Sequence, residues 1–230
     1  TSCINIFFFF SVIIILLVIS CFLTITSFLY HFEEHTSSVL FDNIFTSLLA
    51  IAIFLALVLL LSRLLNPVYK LFSHIDKILL VITLLWVCCF SYFFVIGAKT
   101  LPCSDAKSVY DIAVRMYNGD IGAVVPTGSY LSLWPFQTGL IFIFEKLMRI
   151  FHTTEPAMLQ YWNIFYIVLA VLSGYGFIRT ITNRLEAIIS YLLLAGTFFP
   201  LFLYATEIYG DIPAVSLITF SGWMILAANQ

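Results

Sequence analysis

The chain contains little charge. Only 10% of its 230 residues are Asp, Glu, Lys or Arg, whereas a soluble domain typically contains about 25%. The net charge is −2, which gives no electrostatic basis for binding nucleic acid or an anionic surface. Hydrophobic residues make up 62% of the sequence. This balance excludes an ordinary soluble domain and indicates a polytopic membrane protein.

Cysteine is scarce and scattered. The five cysteines form neither a metal-site spacing nor a disulfide framework, and four lie in or beside apolar segments. Ionisable residues are also missing from the middle of every long apolar stretch. Ion-coupled transporters bury charges at that depth, so this absence disfavours a transporter.

Long apolar stretches make up most of the chain. A helix needs about 20 apolar residues to span a bilayer. Six stretches meet this requirement, at residues 6–30, 44–63, 78–98, 159–178, 187–206 and 212–229. The predicted fold is therefore all-α and polytopic, with about six transmembrane helices.

Basic residues predict the orientation of these helices. Arg63, Lys70 and Lys77 lie between the second and third spans, which assigns that loop to the cytoplasm. The third span then delivers residues 99–132 to the outer face. The next apolar segment, 133–151, decides the rest of the topology.

If segment 133–151 lies flat on the outer surface, the loop with Arg179 and Arg184 is cytoplasmic, as the positive-inside rule requires. Glu207 and Asp211 then reach the outer face beside Asp105. A helical stripe favours this arrangement, formed by Leu140, Ile141, Phe144, Leu147, Met148 and Phe151. Such a pattern, interrupted by charged residues, is typical of an interfacial amphipathic helix. The alternative is a span that ends at Glu145.

Residues 104–118 are predicted to form a second interfacial helix. One apolar face recurs at helical spacing, at Val109, Ile112, Ala113 and Met116. Asp111 and Arg115 are expected to pair on the opposite face. The two helices would cover the outer surface of the membrane region.

Asp105 and Asp211 are the candidate catalytic residues, because this topology brings them to the same membrane depth. One carboxylate can accept a proton from a hydroxyl nucleophile. The other can orient the acceptor or hold a divalent cation, the one cofactor that the residues suggest. The alternative for both is a structural role at a helix N-terminus, which Asp favours.

Six further residues are candidates for substrate binding: Lys107, Arg115, Tyr130, Trp134, Gln137 and Glu207. The two basic residues can pair with a phosphate leaving group. The two aromatic residues can stack on a sugar, and can equally be membrane-interface residues.

Residues 102–151 also carry a recognisable arrangement. Its marks are Asp105, Tyr110, Ala113, "NGD" at 118–120, Tyr130, Pro135 and Gly139, followed by an apolar helix. A second acidic motif follows later, in "YATEIYGDIPA" at 204–214. Over residues 99–215 the chain resembles the integral-membrane glycosyltransferases with the GT-C fold, which include protein O-mannosyltransferases and aminoarabinose transferases.

The resemblance implies a polyprenyl-phosphate sugar donor and a glycan, lipid or protein acceptor at the extracytoplasmic face. Asp105 would correspond to the first acidic motif and activate the acceptor. Asp211, with Glu207, would correspond to the second. Trp134 stands where some relatives have a basic residue. The expected location is a bacterial plasma membrane.

Two parts of the chain are expected. Residues 1–77 would form two N-terminal helices with a cytoplasmic loop, and residues 78–230 a catalytic module that continues beyond the sequence.

Two other functions stay open. A transporter or flippase of lipid-linked glycans predicts polar residues along a central path, and a membrane scaffold predicts that Asp105 and Asp211 point away from each other.

Overall fold

The computed structural model describes residues 26–31, 36–41, 44–71, 74–120, 122, 130–182 and 184–229. Two strands, β1 (Thr26–His31) and β2 (Thr36–Phe41), pair antiparallel. Residues 6–25 of the first predicted span, 6–30, lie outside the described residues. Residues 26–30 of that span belong to β1. From Ile44 onward every described element is a helix, which confirms the all-α prediction for that part.

The described helices are α1 (Ile44–Leu71), α2 (Ile75–Ala98), α3 (Ser104–Tyr117), α4 (Tyr130–Leu133), α5 (Thr138–Phe151), α6 (Pro156–Ile181), α7 (Leu185–Thr197), α8 (Phe199–Leu203) and α9 (Asp211–Ala228). Short 3₁₀ turns follow α4 and α8, at Pro135–Gln137 and Tyr204–Thr206. The chain divides into two compact units, 1–61 and 62–230. The expected functional division at residue 77 stays a prediction.

Four of the described helices are long and apolar enough to cross a membrane: α1, α2, α6 and α9. Helix α7 and the segment Pro200–Thr206 are bent by 48° and count as a fifth span if they are read as one. These helices identify an integral membrane protein. Within the described residues they give four or five spans, where the sequence predicted six for the whole chain.

A proline explains the bend within the predicted span at 187–206. Pro200 has no N–H to donate to the carbonyl of Gly196, so a continuous helix would lose that bond. The helix ends at Thr197 instead. The indole Nε1 of Trp86 donates to the Gly196 carbonyl at 2.9 Å, and this bond from α2 satisfies the acceptor that the break exposes.

The second unit has two distinct ends. Helices α2 and α6 run antiparallel, since Asp76 at the start of α2 lies beside Arg179 near the end of α6. Helix α9 runs parallel to α6, and Ser216 Oγ donates to the Tyr166 carbonyl at 2.6 Å. One end, which we call the α3 end, therefore contains Ala98, Pro156 and Asp211. The far end contains the start of α2 and the ends of α6 and α9.

Helices α3 and α5 pack together at the α3 end. All four apolar residues predicted for the inner face of α3 are buried there. On α5, Ile141, Phe144, Leu147 and Met148 are buried, whereas Phe151 at its end is 54% exposed. Helix α5 has 14 residues and is about 21 Å long. It is too short to cross a hydrocarbon core of about 30 Å, so the length of α5 favours the flat arrangement over a span.

Candidate active site

A cleft at the α3 end contains three carboxylates. It has a volume of about 340 Å³, and two separate parts of the chain line it. The start of α3 contributes Asp105, the segment between α8 and α9 contributes Glu207, and the start of α9 contributes Asp211. The structure thus brings together the two candidate catalytic residues that are distant in sequence.

Asp105 is the second residue of α3 and does not cap the helix. The N-cap position belongs to Cys103, which makes no side-chain hydrogen bond to the helix. Ser104, between them, has a φ of 50°, a left-handed conformation that is uncommon for a residue other than glycine. The Asp105 side chain is exposed and, within the described residues, forms no hydrogen bond or ion pair. Its carboxylate is available to a ligand in the cleft.

Asp211 and Glu207 differ in their surroundings. Asp211 is exposed and is the first residue of α9, after the N-cap Gly210. Glu207 is partly buried, and the pKa of its carboxyl is raised, first by burial and second by the negative charge of Asp211. The Glu207 carboxyl therefore keeps its proton to a higher pH than an ordinary glutamate does.

Two buried amides hold the segment that carries Glu207. Gln160 Nε2 donates to the backbone carbonyls of Thr100 and Thr206, each at 3.0 Å. Asn163 Nδ2 donates to the backbone carbonyl of Glu207 itself. Both amides are on α6 and are less than 5% exposed. They fix the loop after α8 to α6 and to the residues just before α3.

Sequence reasoning missed Gln160 and Asn163, although a signal was present. They are three residues apart in an otherwise apolar span, "LQYWN", so they share one face of the helix. A polar pair on one face of a membrane helix indicates a buried hydrogen-bonding role. Only the fold reveals that its partners are backbone carbonyls on two other segments.

Tyr209 links two predicted binding residues to the cleft that it lines. Its hydroxyl is 3.4 Å from the Tyr130 hydroxyl and accepts a hydrogen bond from Gln137 Nε2. The pKa of Tyr130 is raised, first by burial, then by the bond with Tyr209, and also by the charge of Asp105. Tyr130 therefore stays protonated at neutral pH and can donate a hydrogen bond. Tyr209 was also missed, although it stands two residues before Asp211.

Lys107, Arg115 and Trp134 are not among the described residues that line the cleft. Lys107 pairs with Asp111 one turn away on α3, and Arg115 lies about 15 Å from Asp105 along the helix. Trp134 is 47% exposed and packs edge-to-face on Phe136. Their predicted contacts with a substrate stay predictions.

The predicted pair between Asp111 and Arg115 is wrong. Asp111 binds Lys107 instead, and Arg115 binds Asp120 at 2.6 Å, just beyond the end of the helix. Lys107 lies one turn before Asp111 and Arg115 one turn after it. Because both are basic, helical spacing alone did not determine which of them pairs with Asp111. Both observed pairs are exposed to solvent.

Within the described part of the chain, no group of three or more His, Cys, Asp or Glu side chains is arranged to hold a metal ion. The proposed divalent cation stays a prediction.

No protein-family model, curated protein or solved structure matches the chain.

Proposed function

We propose that the chain is a GT-C-like membrane glycosyltransferase that moves a sugar from a polyprenyl-phosphate donor to an acceptor. One observation carries this proposal: Asp105, Glu207 and Asp211 line a single cleft where apolar helices end. A polyprenyl chain stays in the bilayer, because each buried CH₂ contributes about 0.8 kcal/mol. The polar groups that act on its headgroup must therefore lie at the ends of the spans.

Asp105 is assigned as the general base. Its carboxylate takes the proton of the acceptor hydroxyl while the acceptor oxygen bonds to the anomeric carbon of the sugar. The bond from that carbon to the phosphate oxygen breaks, and its electron pair leaves with the polyprenyl phosphate. The exposed position of Asp105, without a competing partner among the described residues, suits this role.

Asp211 and Glu207 are assigned to the other side of the cleft. The Asp211 carboxylate would orient the acceptor by accepting a second hydrogen bond. The pKa of Glu207 is raised. Glu207, when protonated, would donate a hydrogen bond to a sugar hydroxyl. Gln160 and Asn163 hold the segment between them in place.

The cleft is assigned to the extracytoplasmic side. This assignment follows from the resemblance to GT-C glycosyltransferases, whose donor and acceptor meet at that face. Basic residues lie at both ends, with Lys77, Arg179 and Arg184 at the far end and Lys99, Lys107 and Arg115 at the α3 end, so they do not distinguish the two sides. A bacterial plasma membrane, with the donor loaded from the bilayer, is the location we propose.

The test uses purified protein in proteoliposomes that contain a polyprenyl-phosphate sugar and an acceptor. The wild type is compared with Asp105→Asn and Asp211→Asn, and Glu186→Gln, an exposed acid at the far end, serves as control. We expect both aspartate variants to lose transfer by about 10² to 10⁴-fold while they unfold at the wild-type temperature. The control should transfer at the wild-type rate.

The same vesicles separate the alternatives. Movement of the lipid-linked sugar between leaflets without transfer would identify a flippase. Neither transfer nor movement, with both aspartate variants folded as the wild type, would favour a scaffold. Transfer that is undiminished in both variants would exclude this cleft as the active site.

A further inference from the structure

A second pocket lies at the α3 end, where α2 ends and α6 begins. Its volume is about 340 Å³. Val95, Ile96 and Tyr161 supply an apolar wall, and Lys99 and Glu155 supply two opposite charges. None of these residues lines the cleft with the three carboxylates.

Lys99 and Glu155 do not neutralise each other. Within the described residues neither side chain forms an ion pair, and both are exposed. Two opposite charges that line one pocket beyond ion-pair distance leave room for a ligand with complementary charges between them. The ligand would place its anionic group at Lys99 and its cationic group at Glu155.

The backbones of both residues are fixed at helix ends. Lys99 ends α2 in the left-handed conformation, with a φ of 46°, and its N–H donates to the Val95 carbonyl at 3.3 Å. Glu155 precedes α6, and its N–H donates to Thr153 Oγ1 at 3.1 Å. The two side chains therefore start from defined backbone positions at the pocket.

The position of the pocket indicates where its ligand comes from. Lys99 directly follows the last residue of α2, and Glu155 directly precedes the first residue of α6. Both helices are candidate spans. The charges thus mark the level at which hydrocarbon meets headgroups, and the apolar wall of Val95 and Ile96 continues along α2 towards the hydrocarbon.

We propose that this pocket binds a zwitterionic phospholipid with a primary ammonium group, of the phosphatidylethanolamine type. Lys99 Nζ would bind the phosphate, and the Glu155 carboxylate would accept hydrogen bonds from the ammonium. The chains would lie along the apolar wall. An anionic headgroup would be repelled by Glu155, and a choline headgroup has no N–H to donate. The inference does not depend on the proposed transferase activity.

The test is native mass spectrometry of the purified protein with phosphatidylethanolamine, phosphatidylcholine and phosphatidylglycerol at equal concentrations. We expect the wild type to retain phosphatidylethanolamine best. Lys99→Gln should weaken its binding by about tenfold, through loss of one charge-assisted contact. Glu155→Gln should abolish the preference over phosphatidylcholine. Lys77→Gln, an exposed lysine at the far end, should bind as the wild type.

Three outcomes would overturn the inference. Phosphatidylglycerol or phosphatidylcholine could bind the wild type as tightly as phosphatidylethanolamine does. Lys99→Gln and Glu155→Gln could both keep the wild-type lipid profile. Glycerophosphoethanolamine, which has the same headgroup and no chains, could displace the lipid at equal concentration, and the ligand would then be a soluble molecule.

Discussion

Two aspartates occupy the same position in their helices and have opposite surroundings. Asp76 is the second residue of α2 at the far end, and Asp105 is the second residue of α3 at the other end. Asp76 is 0% exposed, accepts a hydrogen bond from the Tyr175 hydroxyl at 2.7 Å and lies 3.3 Å from Arg179 Nε. Asp105 is exposed and faces a cleft.

The comparison shows that helix position does not determine what a carboxylate does. The first turn of any helix favours a negative charge, so both aspartates satisfy the same local rule. At Asp76 the Arg179 guanidinium and the Tyr175 hydroxyl both bind Oδ2 and offset the loss of water at that oxygen. At Asp105 no described partner does so, and the cleft supplies two more acids. We infer that Asp76 stabilises the fold and that Asp105 serves a substrate.

The largest expected effect is on the rate of sugar transfer, and it distinguishes Asp105 from Asp76. Asp105→Asn should lower the rate of sugar transfer by about 10² to 10⁴-fold, because it removes the proton acceptor. Its free energy of unfolding should change by less than about 0.5 kcal/mol, as for most exposed sites. Transfer assays and thermal unfolding in detergent micelles check the two parts. A variant that unfolds at lower temperature and keeps its transfer rate would reverse our assignment.

Asp76→Ala should show the opposite behaviour. It leaves Arg179 without its carboxylate, and we expect a loss of stability of about 2 to 3 kcal/mol. This is less than for a fully buried pair, because the Arg179 side chain is 30% exposed and can recover water. Tyr175→Phe keeps the ion pair, loses one hydrogen bond, and should lose about 1 kcal/mol. Unfolding curves of both variants that match the wild type would contradict a structural role for Asp76.

Gln160→Ala tests how the α3 end is held together. The substitution leaves the carbonyls of Thr100 and Thr206 without their donor, and we expect a loss of about 1 to 3 kcal/mol. The rate of transfer should also fall, since the segment with Glu207 is released. Both quantities can be measured on the same preparation. Stability and transfer at wild-type levels would show that this clamp is dispensable.

The smallest effect concerns pH. The folded state raises the pKa of Glu207, so it holds this proton more tightly than the unfolded chain does. Stability therefore falls as the pH rises from the ordinary pKa of a glutamate through the raised value. Glu207→Gln removes this fall and should be more stable than the wild type at about pH 7, with no difference at about pH 3. A less stable variant at about pH 7 would contradict the burial of an acid there.

Much of the architecture could be predicted from the sequence. The apolar face of α3 is buried where helical spacing placed it, and so is the apolar stripe of α5 except Phe151 at its end, which is exposed. Asp105 and Asp211 line one cleft, as the topology predicted from the basic residues indicated. These features depend on periodicity and on charge asymmetry. Both are properties of the chain alone.

The features that were missed depend on partners in other segments. Asp76 was not singled out, because no residue near it in sequence indicates that Tyr175 and Arg179 of α6 bind it. The amides of Gln160 and Asn163 bind backbone carbonyls, which carry no sequence signature. The break before Pro200 is stabilised by Trp86, which lies on another helix. Spacing assigns a residue to a face, but it does not identify what packs against that face.

The most direct test of the central claim is a double-mutant cycle on transfer by Asp105→Asn, Asp211→Asn and the double variant. Residues that act as one unit on a reaction give strongly non-additive losses. We predict that the double variant transfers about as slowly as the slower single variant. Losses that multiply, as expected for two independent sites, or rates equal to that of the wild type would contradict a shared catalytic cleft.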